Sequence, residues 1–239
     1  MLSTTTILAG LVVFISVITN AVAQLDNAEA GKILKSHNEY RDGVQPEAAN
    51  MKLMKWSSCL EQVAYNYLSS CPGFNHNPNR ATDAQALNCE QSDSVGENLY
   101  WTSSSSLNST SAVGAWYNEF VDYNYESNSC SAVCGHYTQV VWANSYLVGC
   151  SKFDAGPNCA GDSGTYFLCN YSPAGNFLGQ SPYEAGTQCS NCDAGFDYCV
   201  QGQCSETDGG GGGTNNAASN TSMGILLIIS LIAIINALI

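Results

Sequence analysis

Apolar positions fall first into helical stripes and later into short runs bounded by turn residues. From Ala28 to Asp42, Ile33, Leu34, His37 and Tyr40 share one face of a predicted helix. A second helix is predicted from Cys59 to Ser70. It gathers Leu60, Val63, Ala64, Tyr67 and Leu68, with Ser58 and Glu61 spaced as a capping box. A third, from Ser111 to Asn124, carries Val113, Trp116, Tyr117 and Phe120. Glu119, three residues after Trp116, borders the same face. These aromatic stripes read as core packing. Tyr146 to Phe153 and Thr165 to Tyr171 read as strands, separated by Gly156-Pro157 and by the glycines at 161 and 164. Helices first and a hairpin later make the class α+β, built in layers.

The two ends change the picture. Leu2 to Val22 is mostly apolar and leads to Ala21-Val22-Ala23, which predicts a signal peptide over residues 1–23. Ser205 to Ser222 is polar and glycine-rich, Met223 to Ile239 is apolar, and no Lys or Arg follows Lys152. Small residues, a polar spacer and a terminal apolar tail predict a glycosylphosphatidylinositol (GPI) attachment signal, with the anchor within Gly212 to Ser219. A single-pass tail anchor is the competing reading. The chain then divides into a main domain (24–181), a cysteine-rich module (182–204), a linker with the attachment region (205–222) and a tail (223–239).

An extracellular location suits the 12 cysteines, an even number that predicts six disulfides. Two sequons, Asn108-Ser-Thr and Asn170-Tyr-Ser, are glycosylation candidates. The first lies in a serine-rich stretch, the second in a predicted strand. Seven basic against 20 acidic residues give a net charge of −13. Such a chain repels phosphate backbones and anionic headgroups, which excludes nucleic acid and electrostatic membrane binding.

Gly161-Asp-Ser163-Gly matches the string around a serine-protease nucleophile. That fold is all-β, whereas this chain opens with helices, so the string reads as turn chemistry. Cys189-x-x-Cys192 reads as a disulfide staple, because Cys199 and Cys204 follow closely. The histidines are His37, His76 and His136. His37 lies on an apolar helix face and reads as a satisfied core residue. His76, in the Pro/Asn-rich stretch Pro72 to Arg80, and His136, after Gly135, are free to converge.

Gly135-His-Tyr-Thr-Gln-Val-Val-Trp142 resembles the first signature of the CAP superfamily, which holds the cysteine-rich secretory, antigen 5 and pathogenesis-related 1 proteins. Leu168-Cys-Asn-Tyr-Ser-Pro-Ala-Gly-Asn176 resembles the second signature. His37-Asn with Arg41, Trp56, Gly96-Glu-Asn-Leu99 and Trp116-Tyr-Asn-Glu119 match further landmarks in order, from about Ala30 to Tyr183. The resemblance implies a three-layer α-β-α sandwich (the SCP domain) with a small disulfide-rich C-terminal module. It also implies a short helix beginning at His136, although the residues there read equally as a strand. The stretch from Asn77 to Ser94 looks longer than the family pattern and carries Cys89.

The resemblance also implies a cleft lined by His76, Glu97, Glu119 and His136. Imidazole nitrogens and carboxylate oxygens suit Zn²⁺ or another divalent cation, with a position left for water. Acid–base catalysis and a purely structural polar network are the other readings. Lipid carriage in the family implies a sterol or fatty-acid ligand, with Leu99-Tyr-Trp-Thr-Ser as a candidate loop, or an extracellular protein partner. The four-cysteine module argues against the channel activity of members with a fuller cysteine-rich domain. The expected function is a secreted, membrane-anchored binding protein and not an enzyme; the alternative is an extracellular hydrolase or peptidase using the same cleft. The resemblance suggests Cys189–Cys199 and Cys192–Cys204. Cys150–Cys169 is expected to clamp the two strands and Cys71–Cys159 to pair. Cys59, Cys89, Cys130 and Cys134 stay open.

Overall fold

The structure, a computed structural model, describes residues 25–104, 106–156 and 159–209. The expected signal peptide, the apolar tail and most of the linker lie outside the described residues. In chain order the elements are α1 (Asn27–Asp42), β1 (Lys55–Trp56), α2 (Ser58–Ser69), α3 (Arg80–Ala86), β2 (Gly96–Thr102) and α4 (Ser109–Tyr117). A 3₁₀ helix (Asn118–Asp122) follows, then β3 (Tyr123–Asn124), β4 (Ser129–Cys130), α5 (Gly135–Val140), β5 (Leu147–Ala155), β6 (Gly164–Ser172), β7 (Tyr198–Val200) and β8 (Gln203–Ser205).

The main sheet has the order β1-β5-β6-β2. β5 and β6 are antiparallel from Leu147↔Ser172 to Ala155↔Gly164, and β2 pairs antiparallel with β6. β6 alternates between two apolar surroundings. Phe167, Cys169 and Tyr171 join Ile33 of α1, Trp116 of α4 and Val140 of α5. Tyr166 and Leu168 join Ala64 and Leu68 of α2. A period-two strand that is apolar on both faces needs cover on both, which produces the expected three layers. The layers meet closely at Gly149, where a Cβ would lie 2.3 Å from the Glu61 nitrogen and 2.4 Å from the Ser57 oxygen. Glycine there lets the first turn of α2 rest on β5.

Four local expectations are corrected. Ser57, not Ser58, caps α2, accepting from the Leu60 N–H. Glu61 is not a capping partner; its Oε2 accepts from Trp56 Nε1 at 2.9 Å. The third predicted helix ends at Tyr117 and tightens into the 3₁₀ turn that carries Glu119. Leu99 to Thr102 belongs to strand β2 and is not a loop. The helix at His136 follows the family resemblance rather than the β-branched local sequence.

Disulfides join Cys71–Cys159, Cys150–Cys169, Cys189–Cys199 and Cys192–Cys204, as expected, and the open four pair as Cys59–Cys89 and Cys130–Cys134. Cys150 and Cys169 are register partners on β5 and β6. The C-terminal module docks on the segment before β1. Leu53 N–H donates to the Cys204 carbonyl and Cys204 N–H to the Met51 carbonyl. Lys52 pairs with Asp193 at 2.7 Å and lies over the Phe196 ring. Beneath it, the buried Arg41 guanidinium donates to the carbonyls of Lys52, Val140, Trp142 and Ala143. It thereby ties α1 to the C-terminal end of α5, where a cation suits the helix dipole. Burial draws its pKa down to about 9, which leaves it charged at neutral pH.

Candidate functional site: two histidine–glutamate pairs

β2 presents successive residues to opposite layers. Leu99 packs on the α2 side, so Glu97, two residues earlier, shares that face. Asn98 faces the other way and donates to the Tyr171 hydroxyl. Glu97 touches His76, in the stretch before α3, and Asn98 touches His136, in the first turn of α5.

On the α2 side, Glu97 Oε1 accepts from His76 Nδ1 at 2.7 Å and from the Asn77 N–H at 3.0 Å. The His76 side chain is 57% exposed, whereas that of Glu97 is 1% exposed. Tyr67 of α2 holds the loop by donating to the carbonyls of Asn75 and His76. Glu97 Oε2 is buried without a partner.

On the other side, Glu119 Oε1 accepts from His136 Nδ1 at 2.6 Å. Its Oε2 accepts from the backbone N–H groups of His136 at 3.0 Å and Tyr137 at 3.3 Å. The carboxylate therefore caps the first turn of α5, where it also meets the positive end of the helix dipole. The two side chains are 29% and 20% exposed. Trp116 stacks on the His136 ring, 6.3 Å between centroids, and Asn98 donates to the His136 carbonyl at 3.1 Å.

Carboxylates only accept, so each Nδ1 donates, and in the neutral ring that tautomer leaves the lone pair on Nε2. Carboxylate–imidazole pairs of this kind orient metal-binding histidines. The donor types suit a divalent cation, two imidazole Nε2 atoms and, at Glu97, a buried carboxylate oxygen lacking a partner, although no three of His76, Glu97, Glu119 and His136 bring ligand atoms within 4.8 Å of one another. Among the described residues, the one group of three or more candidate donors within 4.8 Å is Cys189, Cys192 and Cys204. All three are spent in disulfides.

His37 is fully buried, as its helix face predicted. Its Nδ1 donates to the Ile33 carbonyl and its Nε2 accepts from the Tyr171 hydroxyl, each at 2.9 Å. Burial lowers its pKa to about 4, so it is neutral at pH 7. The line His37–Tyr171–Asn98–His136 thus runs from the core to the site. Asn98 was missed as a site residue; its signal was a polar residue amid the apolar alternation of β2. The Gly161–Gly164 string is an irregular bend that leads into β6, with Gly161 at φ +79°. Ser163 sits in it, and all three histidines are paired elsewhere.

The sequence model of the cysteine-rich secretory protein family (CAP) matches residues 34–171. Over 171 residues the chain is 42% identical to GLIPR1-like protein 1 of Homo sapiens, covering 72% of this chain and 69% of that protein. It is 37% identical over 181 residues to cysteine-rich secretory protein 3 of Homo sapiens, covering 73% and 67%. Among solved structures, Na-ASP-1 matches with a TM-score of 0.61 at 25% identity, covering 77% of this chain and 49% of that one. NaASP2 with Zn²⁺ matches with a TM-score of 0.56 at 27% identity, covering 76% and 97%. With the three layers, the disulfide-rich module and both signatures in place, the chain belongs to the CAP family of cysteine-rich secretory proteins.

Proposed function

We propose that this protein is an extracellular binding module whose cleft holds a divalent cation through Nε2 of His76 and His136. The observation that carries the reading is the pairing of both Nδ1 atoms with carboxylates, which leaves both Nε2 lone pairs free. Glu97 and Glu119 orient the rings, and Glu97 Oε2 is the further oxygen available. The likeness to NaASP2, solved with Zn²⁺, supports the choice of cation. A cation held there supplies a Lewis-acidic centre with room for water or a ligand oxygen.

Six disulfides and the secretory family support the oxidising, extracellular setting. In this reading residues 1–23 direct secretion, and the tail after the 205–222 linker is exchanged for a GPI anchor that displays the cleft at the cell surface. Among the described residues no helix is long and apolar enough to cross a membrane. Exposed Phe120, Val121, Val133, Phe177 and Leu178, on segments before and after α5, support an apolar ligand such as a sterol or fatty acid, or a protein partner. The hydrolase alternative would use the same Nε2 atoms as bases. It is disfavoured because, among the described residues, no hydroxyl or thiol is hydrogen-bonded to either of them.

Calorimetric titration with Zn²⁺ at pH 7.5 tests the cation site. Wild type and His37→Ala are expected to bind saturably, and His136→Ala to lose binding. Silent wild type, or binding that survives in His136→Ala and vanishes in His37→Ala, rejects it.

A further inference from the structure

The two sequons of the described chain stand in opposite environments. Asn108 is the exposed N-cap of α4. Its Oδ1 accepts from the Thr110 N–H at 3.2 Å and the Thr110 hydroxyl at 2.8 Å, which leaves Nδ2 unused among the described residues. Asn170 is 0% exposed in β6. It lies between Gly149 of β5 and Glu97 of β2, and its Nδ2 donates to the Leu60 carbonyl.

We infer that Asn108 carries an N-linked oligosaccharide and that Asn170 stays bare in every folded copy. The inference rests on the extracellular reading, because the donor is a lipid-pyrophosphate-linked oligosaccharide of the secretory route. Asn108 Nδ2 bonds to the anomeric carbon, the bond from that carbon to the pyrophosphate oxygen breaks, and the amide proton leaves to the transferase. The cap survives, since Oδ1 keeps both of its donors. At Asn170 the same chemistry would force a sugar between β6 and the first turns of α2. A chain so modified cannot close its sheet, so folding itself removes that product.

The placement has a consequence. Asn108 caps the N-terminus of α4, and Trp116 near the other end of that helix stacks on His136, so the oligosaccharide is rooted at the opposite end of α4 from that pair.

The test uses the full chain expressed in secreting eukaryotic cells. Folded protein is treated with peptide N-glycosidase in ¹⁸O-water and mapped by mass spectrometry. An ¹⁸O-labelled aspartate is expected at position 108 and none at 170. Asn108→Gln should lose that mass step. Label at 170 in folded protein overturns the inference, as does secreted, fully disulfide-bonded protein unmodified at Asn108. Cytosolic protein with free thiols overturns the extracellular reading along with it.

Discussion

The two histidine–glutamate pairs have the same chemistry and opposite construction. His136–Glu119 is closed: the carboxylate spends both oxygens, one on the ring and one on two backbone N–H groups of α5. His76–Glu97 is open: the histidine rides on an exposed loop, and its buried partner keeps one oxygen unpaired. The closed pair belongs to the layer of α1, α4 and α5, and the open pair is held from α2 through Tyr67. A closed pair fixes a ring in advance, whereas an open one holds a buried charge in wait for a partner. For the proposed cation site, the difference makes the closed pair the scaffold and the open pair the half that responds to what binds.

Acid should separate the halves most strongly. Burial lowers His37 from 6.5 to about 4. Between those values the unfolded chain takes up a proton that the folded chain refuses. This contribution is complete above pH 6.5 and drains as pH falls toward 4, on the order of 3 kcal/mol in all. The loss reaches the closed pair first, because Tyr171 and Asn98 link His37 to His136 and not to His76. Denaturant midpoints at pH 7.5 and 4.5, followed by the fluorescence of Trp116 with the other tryptophans substituted, should show this slope. His37→Gln should flatten it; an unchanged slope in that variant removes His37 as the cause.

How far such wiring was legible depends on where the information sits. α1, α2, β5 and β6 were readable because each buries a continuous face, and a face leaves a period in the sequence. α5 was not readable from its residues. Tyr137, Thr138, Val140 and Val141 suit a strand, and the helix is imposed from outside by Glu119 on its first turn and Arg41 beyond its last. Short α3 buries only Ala84, too little for a stripe. β2 hid behind Gly96, Glu97 and Asn98, polar or small residues that are buried for the site's sake. Of the four candidate residues, Glu97, Glu119 and His136 stand in motifs, and His76 stands in a Pro/Asn-rich stretch. Their division into an open and a closed pair was not readable, since it depends on which oxygen meets which N–H across sequence gaps of 17 and 21 residues.

Neutralising each carboxylate in turn sharpens the comparison next. Glu119→Gln and Glu97→Gln should each weaken Zn²⁺ binding by about 10–100-fold, as loss of an orienting partner does. Their stabilities should diverge. Glu119→Gln disturbs the acceptors of a ring N–H and two backbone N–H groups and should cost about 1–3 kcal/mol. Glu97→Gln keeps an acceptor for His76 and Asn77 and removes a buried charge with an unpaired oxygen, so the metal-free protein should be no less stable than wild type. Equal losses in metal-free thermal unfolding would dissolve the distinction between open and closed.

The smallest effect is expected at Asn98, which touches one pair only. Its Nδ2 donates to the His136 carbonyl at 3.1 Å and the Tyr171 hydroxyl at 3.3 Å, both long bonds from a side chain buried in the sheet. Asn98→Ala removes both, yet Tyr171 still donates to His37 and Glu119 still caps α5. The stability cost should be about 1–2 kcal/mol. Zn²⁺ affinity should fall by a few-fold, less than for either glutamate, because the ring keeps its carboxylate. The imidazole resonances carry the decision. Those of His136 should shift and broaden while those of His76, whose partner Glu97 faces the other layer, stay in place. A variant in which both histidines move together would mean that the two faces of β2 act as one unit and that the closed pair is not held independently.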